Sequence, residues 1–344
     1  MKKIVVVDLF CGAGALTYGF QKAGLKVSVG IDVDPACQYP FEKNNKAKFL
    51  LKDVENLEGT EVNSWFKDAD IKILAGCAPC QPFSTYSKSK TKDRQWALLR
   101  AFARLVTETS PEIVSMENVP QLTKHPIFEE FHTHLLDQGY RVWFDEISCT
   151  SFGVPQTRKR LVLLASKLGE IGPLSQSDSE TLPVTVREVI NNLEPLKAGG
   201  VSKKDRLHTA SRLSALNLQR IKASRPGGTW RDWDSSLVAQ CHRKPTGVTY
   251  PAVYGRMEWD QPAPTITTQC FGFGNGRFGH PEQDRAISLR EAALLQTFPP
   301  EYEFLPSDEK ITFRHIGRLI GNAVPVSFAH AIGRTIITHI HSRS

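Results

Sequence analysis

Over roughly the first 165 residues, short runs rich in Val, Ile and Leu alternate with longer stretches in which apolar side chains recur every three or four positions. "KIVVVDLF" gives way to "ALTYGFQKAG", "VSVGID" to "PACQYPFEKN", "IKILAG" to a loop and then "QWALLRAFARLVTET", and "EIVSMEN" to "IFEEFHTHLLDQG". The β-branched runs have the length of strands, and the stretches between them have the period of helices with one apolar face. Such alternation predicts an α/β fold: a doubly wound, largely parallel sheet. After "RLVLLAS" (160–166) the chain turns polar, and "KLGEIGPLSQSDSETLP", rich in Gly, Ser and Pro, reads as a linker. From about residue 185 the rhythm is lost. Glycine and proline pairs, tryptophans and short β-prone pieces predict a second, smaller, irregular β-rich domain. Helical spacing returns in "LREAALLQTF" and in "PVSFAHAIGRTIITHI", whose apolar stripe suits packing back onto the sheet.

Composition narrows the class. The 344 residues are 40% hydrophobic and 23% charged, ordinary for a globular chain with a sizeable core. Asp8 interrupts the apolar start "MKKIVVVDLF", which argues against a signal peptide. No run approaches the roughly 18 apolar residues of a membrane span. Seven scattered cysteines, an odd number, fit reduced thiols in the cytoplasm better than a disulfide framework. The net charge of +7 is unevenly spread: between 185 and 262, thirteen lysines and arginines face seven acids, leaving +6 in one segment. Trp230, Trp233 and Trp259, half of the six tryptophans, lie there too. A polyanionic partner such as nucleic acid and a plain basic surface both account for that segment.

The candidate chemistry falls at strand ends, where ligands bind in open parallel sheets. "DLFCGAG" follows the first strand and opens a helix, with Gly12 and Gly14 letting the backbone approach a ligand. It departs from the dinucleotide fingerprint, because Thr17 stands where a third glycine is needed. Asp32 ends the second strand, where a carboxylate can accept both hydroxyls of a ribose; a helix cap is the alternative there and at Asp34. Asp53 can accept from an adenine amino group or serve a turn. In "GCAPCQPFS" (76–84), Cys77 and Cys80 form a C-x-x-C. Zinc needs further ligands, and Cys149, Cys241 and Cys270 are isolated, so no metal is expected. A redox pair should open a helix, whereas "QPFSTYSKSKTK" reads as loop. A single nucleophile at Cys80, stiffened by Pro79 and Pro82, is the better reading, with an inert strand-end thiol as the alternative. Glu117 of "SMENVP" ends the next strand. In "QTRKR", Arg158 and Arg160 are alternate residues of an extended piece, which would aim them the same way.

In their order and wording these motifs resemble the DNA (cytosine-5)-methyltransferases in their single-chain bacterial form: "DLFCGAG", Asp32, Asp53, "GCAPCQPFS", "ENV", "QTRKR", a long variable stretch, "LREAALLQTFP" and "GNAVP". The resemblance spans nearly the whole chain and implies a Rossmann-like methyltransferase domain over 1–182, a target-recognition domain over 183–312 and a segment, 313–344, returning to the first. It implies that Cys80 adds to C6 of a cytosine flipped out of duplex DNA, and that the methyl of S-adenosylmethionine then passes to C5. Glu117 would donate a hydrogen bond to N3, Arg160 would hold the cytosine O2 or Glu117, and Arg158 would support the loop or a phosphate. Phe10, Gly12, Gly14, Asp32, Val33, Asp53 and Asn322 would line the cofactor site. Val33 departs from the pattern, in which an aromatic residue stacks on adenine there and Glu is usual at the Asp32 position. Lys88 and Lys90, in the loop after Cys80, would close over the DNA backbone. Arg225, Arg231, Arg243, Lys244 and Arg256 are candidates for guanine or phosphate contacts. A cognate restriction endonuclease and a monomeric state are further expectations. Two alternatives stand beside this reading. One is a transfer-RNA substrate, whose branch of the family carries a Cys-Phe-Thr signature not found here; the other is a DNA-binding regulator on an inactive scaffold.

Overall fold

The computed structural model describes residues 2–79, 92–175 and 183–343, so Cys80, Lys88 and Lys90 lie outside the described residues. Two compact units share the chain. The first comprises Met1–Phe152, Lys159–Glu180 and Ala323–Ser344, and the second Gly153–Arg158 and Thr181–Asn322.

The first unit is built on a seven-stranded sheet. Along the chain run β1 (Ile4–Leu9), α1 (Ala15–Lys22), β2 (Lys26–Asp32), α2 (Gln38–Asn44), β3 (Lys48–Leu51), α3 (Gly59–Trp65), β4 (Ile71–Gly76), α4 (Lys92–Thr109), β5 (Ile113–Asn118), α5 (Pro126–Asp137), β6 (Arg141–Ser148) and β7 (Lys159–Ser166). The spatial order is β3-β2-β1-β4-β5-β7-β6. All neighbours from β3 through β5 are parallel, whereas β7 runs antiparallel to both β5 and β6. Every residue of β5 is buried, as a strand covered on both faces requires. The order reverses at β1 and β4, so their carboxyl ends flank the switch point at which such sheets open a crevice for ligands.

The returning helix α10 (Val326–Ser342) closes this unit against α1. Glycine makes that approach possible: a Cβ on Gly19 would lie 2.4 Å from the Ala329 Cβ and 2.7 Å from the His330 nitrogen. Ser166 and His339 are joined at 2.8 Å, and the Ser175 N–H donates to Thr335 Oγ1 at 3.1 Å, tying α10 to the end of β7 and the chain beyond it. Gly19→Ala should therefore force the helices apart and lower stability by about 1–3 kcal/mol, read in a denaturant titration. An unchanged midpoint would show that the crossing relaxes freely.

The second unit carries α6 (Val186–Ile190), α7 (Ala215–Ala223), α8 (Leu289–Leu295) and α9 (Phe313–Asn322). Its β-prone pieces pair as isolated bridges such as Pro226 with Arg256 and Arg256 with Gly279, and not as strands, among the described residues. Side chains take over part of the work of a ladder. Ile221, Trp230, Trp233, Phe273 and Ala286 form a small core. Fully buried Arg285 makes two 2.7 Å bonds to Glu291, which also caps α8 reciprocally with Ser288. Among the described residues no helix is long and apolar enough to cross a membrane.

Candidate active site

The turn between β1 and α1 is left-handed at three positions, Phe10 (φ 57°), Gly12 (φ 52°) and Gly14 (φ 90°). The two glycines serve different ends. Among the described residues, a Cβ on Gly12 would meet nothing within 4 Å, leaving open space over the backbone, whereas one on Gly14 would lie 2.3 Å from Asn45 Nδ2. Gly14 thus answers a packing need, and the close approach expected of both glycines belongs to Gly12. Asp32 faces this turn from the end of β2. Its Oδ2 accepts from the Gly12 N–H and its Oδ1 from the Asp34 N–H, each at 2.9 Å. Asp34, not Asp32, caps the turn at Pro35 by accepting from the Ala36 N–H. Burial raises the Asp32 pKa above its ordinary value, so its charge needs the N–H groups aimed at it. Val33 is 65% exposed at the mouth of this strand. Asp53 accepts from the Glu55 N–H at 3.1 Å and starts a single helical turn.

Thr17, which spoils the glycine fingerprint, has its own purpose. Its hydroxyl donates to Asp8 Oδ2 at 2.6 Å, and both side chains are fully buried. Among the described residues, the other carboxyl oxygen of Asp8 has no hydrogen-bond partner. Burial, with the charge of Asp32 adding to it, pushes Asp8 up from an ordinary 3.8 to about 7. The folded protein therefore keeps this proton over a range in which the unfolded chain has released it. The contribution of Asp8 to stability is greatest below the unfolded value and declines as pH rises from about 4 to about 7, by on the order of 4 kcal/mol at most. Asp8→Asn, which cannot ionise, should flatten that decline. Thermal midpoints at pH 5 and pH 8 check it, and parallel shifts in wild type and variant would show that Asp8 does not titrate in this range.

Three further strand ends supply the remaining groups. Gly76 of β4 pairs with Met116 of β5, so the residues that follow them, Cys77 and Glu117, are neighbours at adjoining strand ends. Burial, then the Glu117 charge, raises the Cys77 thiol well above its ordinary 9.0, so Cys77 stays protonated and is a poor nucleophile. Arg160 of β7 sets its Nε 2.7 Å from Glu117 Oε1, while its Nη1 donates to the Lys159 carbonyl. Glu117 is only 7% exposed. Next to it, Asn118 Nδ2 donates to the Ala78 carbonyl at 3.0 Å, pinning the chain two residues ahead of Cys80. The sequence reading missed Asp8, Cys77 and Asn118 as neighbours of the site; the adjacency of the β4 and β5 ends was the signal that could have found the last two.

Arg158 corrects an expectation. Expected to act beside Arg160 on a loop or a phosphate, it precedes β7 in the second unit, buried, with Nη1 on the Ile266 carbonyl at 3.0 Å and Nη2 on the Gly321 carbonyl at 3.4 Å. It joins the segment "PTITT" (264–268) to "GNAVP" (321–325), and Gly321 has no room for a Cβ against Thr267 and Thr268. That linkage accounts for α9 lying in the second unit, although the sequence reading put it with the returning segment. Asn322, exposed, ends α9. Arg256 also leaves its expected place among the DNA contacts. It is 5% exposed, and its guanidinium is spent on the carbonyls of Ile221, Ser224, His280 and Gln283 and on the Asp284 carboxylate. Arg225, Arg231, Arg243 and Lys244 remain at the surface. Arg225 pairs with Asp232 at 3.4 Å, and Arg231 and Arg243 each donate to a backbone carbonyl, those of Val248 and Ser235.

The profile of a known family, C-5 cytosine-specific DNA methylase, matches residues 4–338. The chain is 49% identical over 334 residues to the Type II methylase M.HgiDII of Herpetosiphon aurantiacus, spanning 96% of this chain and 94% of that protein. It is 32% identical over 360 residues to the Type II methyltransferase M1.BsuMI of Bacillus subtilis (strain 168), spanning 96% and 80%. Among solved structures, a prophage-encoded protein of E. coli, described as a DNA modification methyltransferase, superposes with a TM-score of 0.75 at 23% identity over 98% of this chain and 100% of that one, a likeness of fold. The strand-end acid and arginine, the open turn at Gly12 and a family match running almost from end to end agree: the chain belongs to the C-5 cytosine-specific DNA methylases, and its activity is that of a DNA (cytosine-5)-methyltransferase.

Proposed function

We propose that the first unit binds S-adenosylmethionine and performs the reaction, and that the second selects the DNA sequence in which the cytosine lies. The observation that carries this reading is the Glu117–Arg160 pair, held at neighbouring strand ends of the sheet whose β1 end carries the open turn at Gly12. The cofactor, when bound, supplies an electrophilic methyl group. The residues at the turn fit it: Gly12 leaves space over the backbone, and each oxygen of Asp32 keeps a lone pair beyond its N–H bond for a ribose diol. Phe10, Val33 and Asp53 would border the adenosine.

Cys80 would attack C6 of the flipped cytosine, a step that drives negative charge onto N3. Glu117 would hydrogen-bond there as that charge builds, and Arg160 would hold its carboxyl in place and reach the O2 of the base. Once C5 carries the methyl group, a base takes its proton and the thiolate leaves, restoring Cys80. Lys88 and Lys90 would hold the DNA backbone while the base is out of the stack. The Type II names of the relatives support a cognate restriction endonuclease, which this enzyme would oppose in the cytoplasm, acting as a monomer on duplex DNA.

Methyl-labelled S-adenosylmethionine, offered with duplex DNA and separately with transfer RNA, tests the reading. Label should enter 5-methylcytosine of the duplex. Label in the RNA alone would replace the substrate, and label in neither, from a folded protein that binds the cofactor, would leave an inactive DNA-binding scaffold.

A further inference from the structure

Between Asp234 and Glu258 the chain has no acidic residue. Within that stretch the structure builds an exposed tip whose inner side is firmly held. The rings of Trp230 and His242 stack with centroids 4.5 Å apart and planes 11° from parallel, and Tyr254 meets His242 edge-on. From this base, Trp230 Nε1 donates to the Tyr250 carbonyl at 3.0 Å, Arg231 Nη2 to the Val248 carbonyl at 2.7 Å, and His242 Nδ1 lies 3.3 Å from the Gly247 carbonyl. Gly247 itself has no room for a side chain, since a Cβ would fall 1.8 Å from the Cys241 carbonyl oxygen. Three tip carbonyls are thus engaged from below.

The outer side is the reverse. Lys244, Thr246, Val248, Thr249 and Tyr250 are all exposed, Val248 by 42% and Tyr250 by 51%. The Thr249 hydroxyl donates to the Thr246 carbonyl at 2.9 Å, which fixes its oxygen as an acceptor. Nonspecific attraction to phosphates needs only charge on flexible stems. Reading a base edge needs donors, acceptors and apolar groups held to within about half an ångström. A stiff tip bearing a cation, hydroxyls and two large apolar groups, free of acids, has the second design: hydroxyls serve any base edge, and apolar groups meet the thymine methyl.

We propose that Lys244–Tyr250 is the base-reading tip of this enzyme, entering the major groove of duplex DNA with Thr249 and Val248 as specificity-determining residues. The proposal rests on the reading of the second unit as the target-recognition domain. Trp230, Arg231 and His242 act as positioning residues beneath it.

The test uses the full-length protein and a duplex library randomised around a central cytosine, with methylated sites mapped by bisulfite sequencing. Wild type defines the recognition sequence. Val248→Ala and Thr249→Val, both at exposed positions and each checked for an unchanged thermal midpoint, should relax preference by about 10- to 100-fold at one or two base positions and leave the others intact. Lys244→Ala serves as a third probe of the same tip. An unchanged sequence preference in all three variants, with rates within about twofold of wild type, would overturn the proposal. So would a uniform loss over all sequences with a shallower salt dependence, the mark of phosphate contacts alone. A folded wild type that methylates no duplex would overturn the recognition-domain reading first, and the tip with it.

Discussion

Cys80→Ser should abolish methyl transfer, by on the order of 10⁴-fold or more, while S-adenosylmethionine still binds. A serine hydroxyl ionises far less readily than a thiol and is a weaker nucleophile toward an aromatic carbon, so the addition at C6 that activates C5 would not occur at a useful rate. Asn118 pins the Ala78 carbonyl just ahead of Cys80, and the neighbouring thiol, Cys77, is kept protonated by burial and by Glu117 and so does not substitute for it. A duplex carrying 5-fluorocytosine makes the step visible. Fluorine cannot leave C5 as a proton does, so wild type and DNA should migrate together on a denaturing gel, and Cys80→Ser should not. Turnover by the variant near the wild-type rate, or an adduct that persists without Cys80, would remove the nucleophile assignment and make Cys77 the next residue to replace.

Much of the first unit was legible because its strands are buried on both faces. β1, β4 and β5 are largely apolar in the chain and almost wholly buried in the fold. β6 escaped notice for the opposite reason: at the sheet edge it keeps Arg141, Asp145 and Glu146 exposed, and its pattern is that of a solvated strand. In the second unit, short helices such as α7 and isolated bridges leave no period to detect. At the site, Glu117, Arg160 and Asp32 stood out because a strand end followed by a carboxylate or guanidinium is a local pattern. The purposes of Arg158 and Arg256 were hidden, since charge along a chain does not show that a guanidinium faces acceptors of its own chain, five of them for Arg256. Thr17 was read only as a missing glycine, because its partner Asp8 lies nine residues away and neither is unusual alone.

Glu117→Gln should lower the rate of methyl transfer by about 10²–10⁴-fold and leave DNA affinity within several-fold of wild type. Glutamine keeps the shape and can still offer an N–H toward N3, but it cannot deliver a proton as charge builds there. It also loses the carboxylate that Arg160 meets at 2.7 Å, leaving a nearly buried guanidinium without its counter-charge. The second effect alone would loosen the strand ends, so the two must be told apart. Arg160→Lys keeps a positive charge but loses the fixed fork of the guanidinium, and should misplace Glu117 without removing its proton. If Glu117 works through proton donation, Glu117→Gln falls well below Arg160→Lys in single-turnover rate while both bind the duplex normally. If the pair only braces the β5 and β7 ends, the two variants lose rate and thermal stability in step. Equal losses of rate and DNA affinity in Glu117→Gln would mark this glutamate as a structural residue, and the proton needed at N3 would have to come from another group.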